Sequence, residues 1–357
     1  ATSSHHDEVA LKAALSLVTA AANKQEFTRG HDWALLAAAL VERIGNAPAR
    51  RASVHHATGY LLSCEGKYTA AAEQHEQALA LRQRIAPGSY DVARSLNSLA
   101  FAYDEIGRYA DARRVGERSL AIQETELGLE HPEVATVLTN LGNIASDEGD
   151  LASASRYYQR SLAIRERTML AGDDQALLAS VINNLATVAY EQEHYDEALV
   201  HNRRALAIRE QLPNGTPEVM MSLANIAATR YKQGKHAVAL AGFQRALALG
   251  EKALGKDHPY VGDALLGLGE CQWAARNFDA SKAALERALE IRKLGARPSE
   301  VADVEFTLAR TLWDRAPRDR VQRDRAMTLA RSARTVFASS PSGRRKLAEV
   351  DAWLGAR

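Results

Sequence analysis

"SLNSLAFAYDEIGRYADARRVGERSLAIQETELGLEHPEVA", residues 95–135, holds two stretches of helical period around one glycine. Val92, Leu96, Leu99, Ala102, Tyr103 and Ile106 recur at helical spacing, which puts them on one stripe of a helix over residues 91–106. Gly107 follows, and glycine suits the left-handed backbone that ends a helix. A second helix is predicted to begin near Tyr109, with Ala112, Val115, Ser119, Leu120 and Ile122 on its stripe.

The same unit recurs along the chain. The triplets GKY (66–68), GRY (107–109), GDL (149–151), EHY (193–195), GKH (234–236) and RNF (276–278) stand 41 to 44 residues apart. At a constant offset each is followed by Ala78-Leu79, Ser119-Leu120, Ser161-Leu162, Ala205-Leu206, Ala246-Leu247 or Ala288-Leu289. Six landmarks in step make the chain a tandem array of helix pairs. Three columns stay small: Gly59, Ala100, Gly142, Ala186, Ala227, Gly269; then Ala71, Ala112, Ala154, Ala198, Ala239, Ser281; then the Ala or Ser before the recurrent Leu. Small side chains at fixed places let helices approach closely within and between pairs. A general helical repeat such as HEAT shares the rough period but has no reason to keep these columns.

Residues 95–135 resemble a unit of the tetratricopeptide repeat (TPR), in its roughly 42-residue kinesin-light-chain-like variety. The resemblance is strong over about residues 53–312 and implies an all-α, right-handed superhelical solenoid of about seven to eight antiparallel helix pairs. Residues 8–44 and 303–338 read as degenerate end units, and "RRKLAEVDAWL" (344–354) as a helix that closes the last apolar face. The expected division is 1–52, a degenerate N-terminal repeat; 53–302, six TPR units; and 303–357, an atypical repeat with its capping helix. The LNxLA units and the Arg-rich end with "VDAWL" also resemble the TPR region that follows the catalytic domain in many bacterial Ser/Thr protein kinases. The start, "ATSSHHDEVA", lacks Met and reads as the beginning of a piece of a longer protein.

Catalytic and metal motifs are missing from the sequence. It contains no Gly-rich phosphate loop, no GxSxG and no HExxH. His131-Pro132 and His258-Pro259 fall at one point of two units, where others carry Thr216-Pro217 and Arg297-Pro298. Proline there starts a helix, so these pairs are scaffold. His5-His6 and His55-His56 have no carboxylate or Cys at metal-ligand spacing. The acid pairs Asp147-Glu148 and Asp173-Asp174 fall on turns or exposed faces. No enzyme activity, cofactor or metal is expected.

Asparagine is a mediocre helix former, yet it recurs on the first helices. Asn140, Asn184 and Asn225 share one column, and Asn97 and Asn183 the column before. An amide offers a donor and an acceptor, matching the two groups of an extended backbone. The resemblance implies that the first helices line a concave groove, in which an Asn of this column hydrogen-bonds the main chain of a bound peptide. Phe101, Asp104, Asn143, Asp147, Thr187, Tyr190, Glu191, Tyr231 and Trp273 are expected on the same wall, with Tyr60, Glu105 and Lys232. The acids at 104, 105, 147 and 191 would make its N-terminal half negative and favour a basic or mixed segment. A clamp of Lys and Arg for chaperone tails is largely absent.

Bulk composition bounds the remaining classes. With 45 Lys+Arg against 44 Asp+Glu there is no global pull toward nucleic acid or an anionic membrane. No apolar run approaches the roughly 18 residues of a membrane span. Cys64 and Cys271 are too few for a disulfide framework, which fits a cytoplasmic setting. Residues 315–346 carry ten Lys/Arg against two Asp, but without interleaved aromatics for base stacking they read as a solvated face. A protein or peptide partner is the first expectation. A small-molecule sensor and a self-associating scaffold are the rivals, and the oligomeric state is left open.

Overall fold

The triplets of the sequence are turns between helices. This computed structural model describes residues 2–168, 174–213, 216–294, 297–315, 318–339 and 343–357. Gly66, Gly107, Gly149 and Gly234 hold φ between +74° and +86° there. A residue with a Cβ is strained in that region, yet Glu193 (φ +64°) and Arg276 (φ +58°) take the same place. So does Gln25 (φ +59°), which reveals Gln25-Glu26-Phe27 as a seventh triplet in the degenerate first pair. The His5 side chain and the Asp173-Asp174 pair lie outside what the structure describes.

Among the described residues the elements are 17 helices. The chain divides into two compact units, Ala1–Thr168 and Met169–Arg357. The first contains α1 (Thr2–Asn23), α2 (Phe27–Arg43), α3 (Pro48–Cys64), α4 (Tyr68–Ile85), α5 (Tyr90–Glu105), α6 (Tyr109–Leu127), α7 (Pro132–Glu148) and α8 (Leu151–Thr168). The second contains α9 (Asp174–Glu191), α10 (Tyr195–Arg209), α11 (Thr216–Lys232), α12 (His236–Leu254), α13 (Pro259–Ala274) and α14 (Phe278–Lys293). It ends with α15 (Pro298–Arg315), α16 (Arg320–Ala338) and the unpaired α17 (Arg344–Gly355). Each unit is thus four helix pairs, and α17 is the additional helix. The expected borders at 52/53 and 302/303 fall inside α3 and α15, because Pro48 and Pro298 set those starts.

Within a unit, each second helix packs on the next first helix, and successive first helices also touch each other. That places the first helices on the inner side of each stack. The small columns make the contact possible. A Cβ on Gly142 would stand 2.4 Å from the Tyr158 ring, and one on Gly269 2.5 Å from Leu285. The Ala/Ser column is fully buried, and Ser119 and Ser161 donate across to the carbonyls of Ala93 and Ala135, each at 2.8 Å. His131 and His258 cap α7 and α13: each Nδ1 accepts the backbone N–H two residues on, from Glu133 and Tyr260.

A further column joins successive pairs. Three residues after the recurrent Leu stand Arg82, Gln123, Arg165, Arg209, Gly250 and Arg292. The four arginines are buried. Arg82 donates to the Asp91 carbonyl (3.0 Å) and Ser95 Oγ (2.8 Å) of the next first helix. Arg209 repeats this with the Glu218 carbonyl (3.3 Å) and Ser222 Oγ (2.7 Å). Arg292 reaches the Glu300 carbonyl and the Asp263 carboxylate. A guanidinium is the group for this task, since it presents several donors in one plane and stays charged when buried.

Candidate functional site

In the first unit, the inner faces of α3, α5 and α7 bring together part of the predicted set. Asn140 Nδ2 donates to Asn97 Oδ1 at 3.0 Å, joining neighbouring pairs. Both line a hollow of about 290 Å³ with Tyr60, Cys64, His75 and Phe101. Phe101 is partly exposed there, with Tyr68 against its ring edge at 6.0 Å. Asn143, about one turn further along α7, accepts from the Tyr158 hydroxyl at 2.7 Å. Burial pushes that phenol up, helped by the negative charges of Asp147 and Asp104.

The second unit repeats the asparagine contact. Asn225 Nδ2 donates to Asn183 Oδ1 at 3.1 Å, and Arg209 donates to the same oxygen at 3.2 Å. Asn183 is buried, so its carbonyl serves the scaffold and its effect on a ligand runs through Asn225, which it orients. Asn184 is half-buried beside it. Thr187 is exposed and turns its hydroxyl back to the Asn183 carbonyl at 3.1 Å.

Asn225 lies on the wall of a cavity of about 410 Å³ bordered by α9, α11, α13, α15 and α17. Tyr190 and Glu191 border it too. Tyr231 and Trp273 are not among its lining residues. Tyr231 meets the His236 ring edge-on, with ring centres 4.9 Å apart. Trp273 donates Nε1–H to Asp314 at 2.9 Å and lies beneath the Arg310 guanidinium at 3.8 Å. Both stand in the last turn of a first helix, where Tyr231 meets the second helix of its own pair and Trp273 reaches the first helix of the next.

The cavity carries charge that the sequence did not announce. Glu191, expected to add negative potential, is paired with Arg345 of α17 at 2.9 Å. Lys346 of the same helix grips both oxygens of Asp303 at 2.5 and 2.6 Å. Helix α17 also caps the stack as expected, burying Val350 and setting Trp353 against Phe306 and Trp313. Its basic first turn supplies one wall of the cavity, so the groove of this unit is mixed in sign rather than poor in Lys and Arg. Much of the remaining Arg-rich end is answered locally: Arg325 by Glu286 (2.7 Å), Arg334 by Asp351 (2.6 Å), and Arg323 by the Trp313 ring.

Tandem helix pairs with small columns and left-handed turns are the pattern of one repeat family. The tetratricopeptide repeat model matches residues 50–125, 91–167, 133–211 and 218–293. The chain is a tetratricopeptide repeat protein. Among solved structures, this TPR chain is similar to BtubC (BKLC) from P. vanneervenii, with 26% identity over 68% of this chain and 91% of that one, at a TM-score of 0.50. A Rap protein complexed with competence and sporulation factor aligns over 99% of both chains at 13% identity, with a TM-score of 0.66. The apo quorum sensor NprR from B. thuringiensis aligns over 90% of this chain and 87% of its own at 13% identity, with a TM-score of 0.69. At such identities the last two show the fold. No curated protein sequence matches the chain. No described helix is long and apolar enough to cross a membrane.

Proposed function

We propose that this TPR chain is a non-catalytic recognition module that holds a peptide or protein segment against the inner faces of its first helices. The observation that carries this reading is the second unit's cavity, where consecutive inner faces converge and Asn225 offers an amide already oriented by Asn183. Asn140 has the equivalent place in the first unit, beside the apolar surface of Phe101 and Tyr60. Main-chain amides of an extended segment would meet these asparagines, while pockets between them select side chains. Asp104, Asn143, Asp147, Asn184, Thr187, Tyr190 and Glu191 complete the proposed surface, with Tyr231 and Trp273 at its rim. The Rap structure, which carries a bound factor, supports the choice by likeness of fold.

Within a longer bacterial signalling protein, such as a Ser/Thr kinase, the module would recruit substrates or regulators in the cytoplasm. A small-molecule sensor is the second reading, favoured by a cavity volume within the usual range for small ligands. The test is capture from a peptide library by wild type and by the Asn140→Ala, Asn184→Ala, Asn225→Ala triple variant, with helicity checked. Peptides retained by wild type and lost by the variant are the expected result. Equal retention by both would discard the asparagine ladder.

A further inference from the structure

Five carboxylates border the cavity of the second unit. Three are answered within the protein: Glu191 by Arg345, Asp263 by Arg292, and Asp303 by Lys346. Glu349 extends into solvent. Glu270 is different, because it is not exposed and has no hydrogen-bond or ion-pair partner among the described residues. It is half-buried in the cavity wall, and desolvation there pushes its carboxyl above the usual range.

The cations nearby do not come to it. Lys232 is exposed to water. Arg310 lies flat on Trp273 at 3.8 Å, and Lys346 is committed to both oxygens of Asp303. Space is left in front of Glu270 by a gap in the repeat. The residue after the small column is Tyr60, Phe101, Asn143 and Thr187 in four earlier pairs, then Ala228 in α11, Glu270 in α13 and Arg310 in α15. Ala228 thus leaves the place beside Glu270 unfilled, and both residues line the cavity. Met221, Leu266 and Phe306 give that cavity apolar wall.

We propose that Glu270 seats a cationic group, an ammonium or guanidinium, carried by the segment that the module binds. The proposal deepens the peptide-recognition reading and rests on it for the source of the cation. An apolar wall leading to one carboxylate fits a Lys or Arg side chain, whose aliphatic stem packs while its head is paired. A free amino terminus offers the same charge. A charge-assisted hydrogen bond to a half-buried carboxylate is stronger than one between neutral groups, and it relieves the cost of leaving that carboxylate partly desolvated and unpaired.

Methionine methyl NMR reads the cavity directly, since the chain has four methionines and Met220 and Met221 both line it. The probes are n-butylguanidinium and n-butylammonium, with n-butanol and butyrate as controls, titrated into the full chain. Both cations are expected to shift the Met221 methyl saturably in wild type. In Glu270→Gln, checked for unchanged helicity, the binding is expected to weaken by about tenfold or more. No Met221 response to the cations, an equal response to butanol, or undiminished binding by E270Q overturns the seat.

Peptide selection then distinguishes the two sources. Enrichment of Lys or Arg at one fixed position, lost in E270Q, assigns a side chain; loss of binding on N-acetylation assigns the amino terminus. Peptides captured by wild type without any preference for a cation overturn the seat and leave peptide recognition standing. Cation-induced Met221 shifts without captured peptides would uphold the seat and reject the peptide reading.

Discussion

In the first unit the place after the small column is filled by Tyr60, Phe101 and Asn143; in the second it runs Thr187, Ala228, Glu270 and Arg310. One backbone pattern therefore encloses two different interiors. The first unit buries neutral polar groups, above all the imidazoles of His56 and His75, whose rings lie 5.4 Å apart. The second gathers charged side chains around a cavity. Backbone packing asks only for small residues at the contact columns, so the adjoining place is free to differ. The shared pattern fixes helix approach, and the neighbouring column sets what each unit can hold.

The largest effect should come from the arginine ties, which each unit uses twice and which the first unit replaces once with Gln123. Arg209→Ala removes donors to the Glu218 carbonyl, Ser222 and Asn183 at once. It should cost about 3 kcal/mol of stability in urea unfolding, as the loss of several hydrogen bonds to one charged group does. Gln123 holds the same place in the first unit, and Gln123→Ala should cost only about 1 kcal/mol. Similar costs for the two would mean that the arginine packs there without tying the pairs.

Mild acid should separate the units further. His56 is lowered to about 2, first by burial and then by Arg82, His75 and Arg94; His75 is lowered to about 4 by burial and Arg82. Folding keeps both imidazoles neutral, so below about pH 6.5 the unfolded chain binds more protons and the first unit loses stability. The slope is at most about 1.4 kcal/mol per pH unit for each imidazole. In the second unit, burial raises the carboxyls of Asp263 and Glu270, so the folded form binds protons more tightly and acidification acts with the opposite sign. Hydrogen exchange at pH 7 and pH 5, corrected for intrinsic rates, should show protection falling in residues 48–85 more than in 259–293. Equal loss in both segments would remove the distinction.

The smallest effect concerns a feature common to both units. Glu193→Gly and Arg276→Gly in the second, and Gln25→Gly in the first, relieve a left-handed backbone. Each should gain about 0.5–1 kcal/mol in thermal unfolding. A gain confined to one unit would show that the turn geometry depends on its surroundings.

The helix pairs were legible because an apolar stripe and a recurring turn both leave marks at fixed spacing. Gln25-Glu26-Phe27 has no glycine, and the degenerate first pair around it lacks the Ala/Ser-Leu landmark by which the glycine-free triplets at 193–195 and 276–278 are recognised, though its backbone takes the same turn. The arginine ties are visible in "LALRQ", "LAIRE" and "LEIRK", where Arg stands three residues after the recurrent Leu. Asn140 and Asn225 were read as candidates, but their bonds to Asn97 and Asn183 depend on how closely successive helices approach. Glu270 and Arg310 lie in the column of Phe101, Asn143 and Thr187, where Ala228 interrupts the polar series. The reach of Arg345 to Glu191 across 154 residues follows from the curvature of the second unit's stack, which no local pattern encodes.

The arginine ties also bear on how such a chain leaves the ribosome. Arg82 and Arg209 find their partners only 9 and 13 residues further along. Synthesis of the first turns of the next helix is enough to supply them. A finished pair is thereby locked before its successor is complete, and the exposed apolar edge of the growing chain is confined to one pair. Contacts this local favour rapid folding from many starting points.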